Sequence, residues 1–81
     1  MLKPGVFNKL KPFLADIFDT DESEITPETD LFDDLFADEY YMIEIAMIIE
    51  EEFGVTPKLP KKGPFTVENL TEAVDKKSKE K

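Results

Sequence analysis

Cysteine, histidine, tryptophan and arginine are all missing from this 81-residue chain. Without cysteine there is no disulfide to staple the fold and no thiolate to act as nucleophile or metal ligand. Without histidine the usual proton carrier near neutral pH and the commonest transition-metal ligand are gone. The cations are ten lysines, and none lies between Pro12 and Pro57. Fifteen of the nineteen carboxylates fall in that lysine-free stretch, and the formal charge is −9. A field of this sign disfavours nucleic acid and anionic membrane surfaces and favours basic partners. Long apolar runs are also lacking. The richest stretch, residues 40–49, is interrupted by Glu44 and is too short to span a bilayer. No apolar segment of signal-peptide length is visible near Met1. The expectation is a cytoplasmic, monomeric protein without membrane insertion.

What remains is 41% hydrophobic residues, including seven phenylalanines, which suffices for one small core. Val6, Leu10, Phe13, Leu14, Ile17 and Phe18 recur at the spacing of one helix face. Pro4 suits a helix start. Pro12 removes a backbone donor, which predicts either a kink or a helix that starts late with Pro12 in its first turn. A polar connection follows. In it Thr26-Pro27-Glu28 reads as a cap with proline at the first helical position, and Leu31, Phe32, Leu35 and Phe36 read as inward anchors of a short turn.

Asp38 is a good N-cap for a second helix, and Glu39 places negative charge in its first turn. Ile43, Ala46, Met47, Ile49 and Phe53 supply the expected apolar side, read as core, with Glu44 and Glu50-Glu51-Glu52 towards solvent. Gly54 is a C-terminal stop. Residues 55–64 hold three prolines, one glycine and Lys58, Lys61 and Lys62, and read as an ordered loop. Thr66 caps a last helix with Val67, Leu70, Ala73 and Val74 as its apolar positions. The fold class is therefore all-α: a small bundle of three main helices plus short helical turns, one domain over 1–75 with a basic flexible tail at 76–81. The segment from Asp19 has the density of acidic residues of a calcium loop, but Glu24 stands where that loop needs glycine and Pro27 falls at its ninth place. No metal site is expected.

The order of features, with "EITPETDLFDDLFAD" leading into "IEIAMIIEEEFGV", resembles the acyl carrier protein family. Asp34-Leu35, Ala37-Asp38, Ile43-Glu44, Met47 and Glu50-Glu51-Glu52-Phe53 fall in register with the family pattern without a gap, and Ile25-Thr26 matches upstream. The resemblance implies a carrier rather than an enzyme, and 4′-phosphopantetheine on the serine of an Asp-Ser-Leu sequence opening the second helix. In that register Glu39 takes the serine position, Tyr40 the following leucine, and Phe36 the glycine before Ala37-Asp38. The two serines of the chain, Ser23 and Ser78, lie elsewhere. A carboxylate in place of the hydroxyl yields at most a labile acyl phosphate, so no prosthetic group is expected at Glu39.

The resemblance further implies docking of the acidic second helix onto basic-faced enzymes of acyl transfer, through Asp38, Glu39, Tyr40, Glu44, Met47, Glu50 and Glu51. The bland alternative is a solvated acidic face. Phe36 is read equally as core filler and as partner anchor, and Tyr40 more as anchor. The basic Lys58-Leu-Pro-Lys-Lys-Gly-Pro loop departs from the short acidic helix the family carries there. The function that follows is a non-catalytic docking or regulatory module for fatty-acid or polyketide-type enzymes. Its rival is a genuine acyl carrier with atypical attachment or non-covalent acyl binding.

Overall fold

A computed structural model describes residues 4–79. Helix α1 runs Pro4–Ile17. Leu10, Leu14 and Ala15 are buried along one face, with Phe7, Ile17 and Phe18 packed beside them. Pro12 lies inside this helix, so the late start is corrected. Both Pro12 and Asn8, whose carbonyl would have received the missing N–H, are exposed, where water can serve that carbonyl. The helix ends in a Schellman motif. The Thr20 N–H donates to the Ala15 carbonyl at 2.9 Å and the Asp19 N–H to Asp16 at 3.3 Å, with Asp19 left-handed at φ 55°.

The connection to the next helix is long but stitched throughout. A 3-10 turn at Glu22–Glu24 precedes the buried Ile25. Pro27 then occupies a β-turn closed by the Thr29 N–H on the Thr26 carbonyl at 3.1 Å, rather than the first turn of a helix. The reason is local: the Thr29 hydroxyl accepts from the Thr26 N–H and donates to the Glu24 carbonyl, each at 3.0 Å, which closes the turn on itself. Asp30 is the hub that follows. Its carboxylate accepts from the N–H of Phe32 (2.8 Å), Asp33 (2.9 Å) and Phe65 (3.0 Å). The backbone pairs Leu31 with Phe65 and Thr29 with Val67, both at 2.9 Å, around an antiparallel bridge between Asp30 and Thr66. Among the inward anchors, Leu31 is fully buried and Phe32 and Leu35 pack on the core, but Phe36 points out. Phe36 adopts φ 60°, a region that costs a residue with a Cβ about 1–2 kcal/mol.

Helix α2 spans Glu39–Phe53. The Asp38 carboxylate accepts from the Tyr41 N–H at 3.1 Å, and Gly54 ends the helix at φ 70°. Met42, Ile45 and Ile49 are its buried residues. The expected core stripe is thus corrected: Ile49 is buried and Ala46 partly so, but Ile43 and Met47 are exposed. Each residue advances the helix by about 100°, so positions 43 and 47 sit one step off the line of 42, 45 and 49. The helix is apolar on two faces, and only one of them meets α1 and the third helix.

No helix forms between Gly54 and Thr66. The loop is anchored by the buried Val55 and Pro57, and a Cβ on Gly63 would come within 2.9 Å of the Phe32 ring, so the chain passes there because glycine permits it. Thr66 caps helix α3, Val67–Lys79. Its hydroxyl accepts from the Asn69 N–H while the Asn69 side chain accepts from the Thr66 N–H, both at 3.1 Å. Thr66→Ala is expected to lower stability by about 1 kcal/mol, read as a shift in the urea midpoint. Val67, Leu70 and Val74 are fully buried, together with Thr71, whose hydroxyl donates to the Val67 carbonyl at 2.9 Å. Residues 76–79 continue α3, and residues 80–81 of the expected tail lie outside the described residues. Among the described residues no buried side-chain polar atom lacks a hydrogen-bond partner, and no helix is long and apolar enough to cross a membrane.

Candidate functional site: the outer face of the second helix

The outer face of α2 gathers the large apolar side chains that the core does not take. Phe36 and Tyr40 are each 80% exposed, Met47 60% and Ile43 53%. Tyr40, Ile43 and Met47, at spacings of three and four, make a row along one face of α2 for two turns, and Phe36 lies just before its N-cap. Isolated exposed apolar residues are common on a protein surface, and several on one helix face make that face the candidate site. Glu39 and Glu50 border the row on one side, and Glu44 and Glu51 on the other, all four exposed. Glu39, Tyr40, Glu44, Met47, Glu50 and Glu51 are exposed residues of α2, and Asp38 is its exposed N-cap. Ile43 was assigned to the core in the sequence reading and belongs here instead.

At the start of α2 the Glu39 carboxylate lies 3.4 Å from the Lys61 ammonium. Both groups are exposed, so the pair adds little to stability. It does tie the 55–64 loop to the first turn of the helix. Between loop and helix runs an open groove of about 350 Å³, walled by Met42, Ile43, Ala46, Pro57, Leu59 and Pro60, with Glu39 and Lys61 also lining it. The groove is apolar along its walls and charged only at those two residues.

The three loop lysines do not act together. Lys61 reaches Glu39, whereas Lys58 lines a second groove of about 270 Å³ with Pro57, Ala73, Lys76 and Lys77. Pro57 stands between the two grooves. Tyr41, just inside the first turn, stacks on Phe18, the residue after α1, with ring centroids 4.7 Å apart, which fixes the start of α2 against the bundle. Asp30, in the turn before α2, has its carboxyl held below the ordinary value of 3.8, chiefly by the Asp33 N–H. Burial opposes the shift, and the N–H groups of Phe32 and Phe65 add to it. Neither serine lies on α2: Ser23 is in the 3-10 turn and Ser78 in α3.

Sequence reasoning passed over two features of the site. The exposure of Ile43 was hidden because two apolar lines overlap on α2. The outward position of Phe36 had a signal, since the family register places glycine there, and glycine is the residue that takes φ 60° without strain.

The model of the family described as "Phosphopantetheine attachment site" matches residues 8–60. The chain is 36% identical over 75 residues to the acyl carrier protein of Rubrobacter xylanophilus, covering 93% of this chain and 90% of that protein. It is 39% identical over 56 residues to the acyl carrier protein of Petrotoga mobilis, covering 69% of this chain and 66% of that one. It is 40% identical over 50 residues to the acyl carrier protein of Thermotoga maritima, covering 62% of each. Taken with a three-helix bundle whose second helix is capped by Asp38 at the matching place, these similarities make the chain a member of the acyl carrier protein family.

Proposed function

We propose that this family member is a docking or regulatory module that binds basic-faced enzymes of acyl transfer through the outer face of α2 and carries no phosphopantetheine arm. It is not an enzyme, as the family is one of carriers. The observation that carries the reading is Glu39: the first residue of α2 is a carboxylate engaged by Lys61, at the place where the family attaches its arm through an alcohol oxygen. The residues present do not fit the prosthetic group, because a carboxylate there cannot form the stable phosphate ester, and Ser23 and Ser78 are on other elements. Asp38, Glu39, Tyr40, Glu44, Met47, Glu50 and Glu51 form the docking set in this reading. A monomer in the cytoplasm belongs to the same proposal.

The rival reading, a genuine acyl carrier, is favoured by the groove beside Glu39. Its aliphatic walls suit an alkyl chain held without a covalent link. The acidic face serves docking by charge steering in both readings, and the two differ in whether an acyl group is carried. Reversal of two flanking charges, Glu44→Lys with Glu51→Lys, is expected to weaken binding to a purified ketoacyl synthase about 10-fold or more at low salt, mostly through slower association. Surface plasmon resonance with both proteins reads this directly. An unchanged association rate in the double variant rules out the charged docking face.

A further inference from the structure

We propose that Phe36 is the principal apolar anchor of the α2 docking face, and that the occupant of this face is a basic amphipathic helix of a partner protein. The inference rests on the docking role proposed above and identifies which residue binds and what it meets.

Three independent observations converge on Phe36. Its backbone is left-handed, at φ 60°, the conformation for which a bulky residue is the least suited. Its side chain is 80% exposed and is not among those packed on the core, so no burial within this chain offsets the strain. Its neighbours hold the backbone in place: the Leu35 N–H donates to the Asp30 carbonyl at 3.2 Å and the Ala37 N–H to the Leu31 carbonyl at 2.8 Å. A strained backbone, held in place by its neighbours and carrying an exposed aromatic ring, points to a function for that ring. Aromatic side chains of this kind dominate binding energy at interfaces.

The form of the occupant follows from the row Tyr40, Ile43 and Met47 on α2, with Phe36 just before the N-cap. Spacings of three and four along α2 present one apolar helix face, and such a face is complemented by another amphipathic helix. The sign of its charge follows from the borders. Glu39 and Glu50 on one flank, and Glu44 and Glu51 on the other, are opposite the flanks of whatever lies along the row. A second copy of this chain would bring like charges together on both sides, in a molecule already at −9. A helix with an apolar stripe between two lysine-rich flanks satisfies both features.

The test uses the full chain and a synthetic capped helix of about 18 residues with a leucine stripe flanked by lysines. Binding is read by fluorescence anisotropy at low salt and at about 0.5 M salt, where charge contributions are screened. Phe36→Gly is expected to raise the melting temperature by about 4 °C while weakening the peptide about 10-fold or more, and the loss persists at high salt. Glu44→Lys with Glu51→Lys weakens it only at low salt. If Phe36→Gly binds within about twofold of wild type, or melts lower than wild type, the ring is not an anchor, and the charge-reversal variant still decides the docking reading separately. Sedimentation showing a wild-type dimer that Phe36→Gly dissociates would assign the face to a second copy and overturn the choice of occupant.

Discussion

Incubated with a broadly active phosphopantetheinyl transferase and coenzyme A, the wild-type protein is expected to keep its unmodified intact mass, and the Glu39→Ser variant to gain one phosphopantetheinyl group. The change is all or none because it turns on the type of oxygen at one position. Serine at the first residue of α2 offers the transferase an alcohol that forms a stable phosphate ester. Little is lost from the fold by the exchange, since the Glu39–Lys61 pair is exposed and Asp38 still caps the helix through the Tyr41 N–H. Two other departures from the family pattern flank the site, Phe36 and Tyr40, both exposed. A triple variant that also carries Phe36→Gly and Tyr40→Leu should be modified faster than Glu39→Ser alone. A mass increase in the wild type would mean the chain is a working carrier after all, and peptide mapping would then distinguish Ser23, Ser78 and the tyrosines. A triple variant that stays unmodified would mean the α2 face is no longer read by enzymes of this family.

The second large effect is expected at Asp30. Its carboxylate gathers three N–H donors, one of them from Phe65, 35 residues away. Hydrogen bonds to a charged group are worth about 1.5–3 kcal/mol each, and orphaned donors add a desolvation cost. Asp30→Ala should therefore lose about 3–5 kcal/mol, a large part of the stability of so small a domain. Urea denaturation should find it largely unfolded or melting more than about 12 °C below wild type. Asp30→Asn keeps one acceptor oxygen but turns an NH2 towards an N–H, so it should fall between the two. The pH dependence has a definite sign. The folded carboxyl titrates below 3.8, so its contribution is complete above that value and is lost as pH falls through the lower folded value. Wild type should thus weaken below about pH 4. Asp30→Asn should show a shallower decline on the acid side. An equal decline in both proteins would remove Asp30 from the account.

The helix boundaries were legible in the chain because their chemistry is local. Asp38 and Thr66 as caps, and Gly54 as a left-handed stop, act on backbone groups within a few residues. The loop over residues 55–64 was legible from its prolines for the same reason. Pro12 misled only in part: helix α1 continues through it, since the apolar pattern on its buried face outweighs one missing hydrogen bond at an exposed one. The composition alone excluded cysteine, histidine and metal-thiolate chemistry, and the residue types at positions 34–35, 37–38, 43–44, 47 and 50–53 carried the family resemblance.

Other features required the packed molecule. Two apolar lines one residue apart run along α2, and nothing within the helix says which of them meets α1 and α3. Burial of Met42, Ile45 and Ile49 settles that, and leaves Ile43 and Met47 outside. Thr71 became a core residue because its hydroxyl is satisfied by its own helix, at the Val67 carbonyl. Asp30 is one carboxylate among nineteen in the sequence and a hub only where Phe65 arrives beside it. Lys58 and Lys61 are three residues apart yet face different grooves on either side of Pro57. By itself, then, the sequence determined the helical class, the ends of α2 and the start of α3, the sign of the surface and the family, because each rests on residue type and short-range spacing. Tertiary structure decided which apolar face is core, which carboxylate is structural and which aromatic ring is presented to solvent, because each depends on what distant segments bring to the same place.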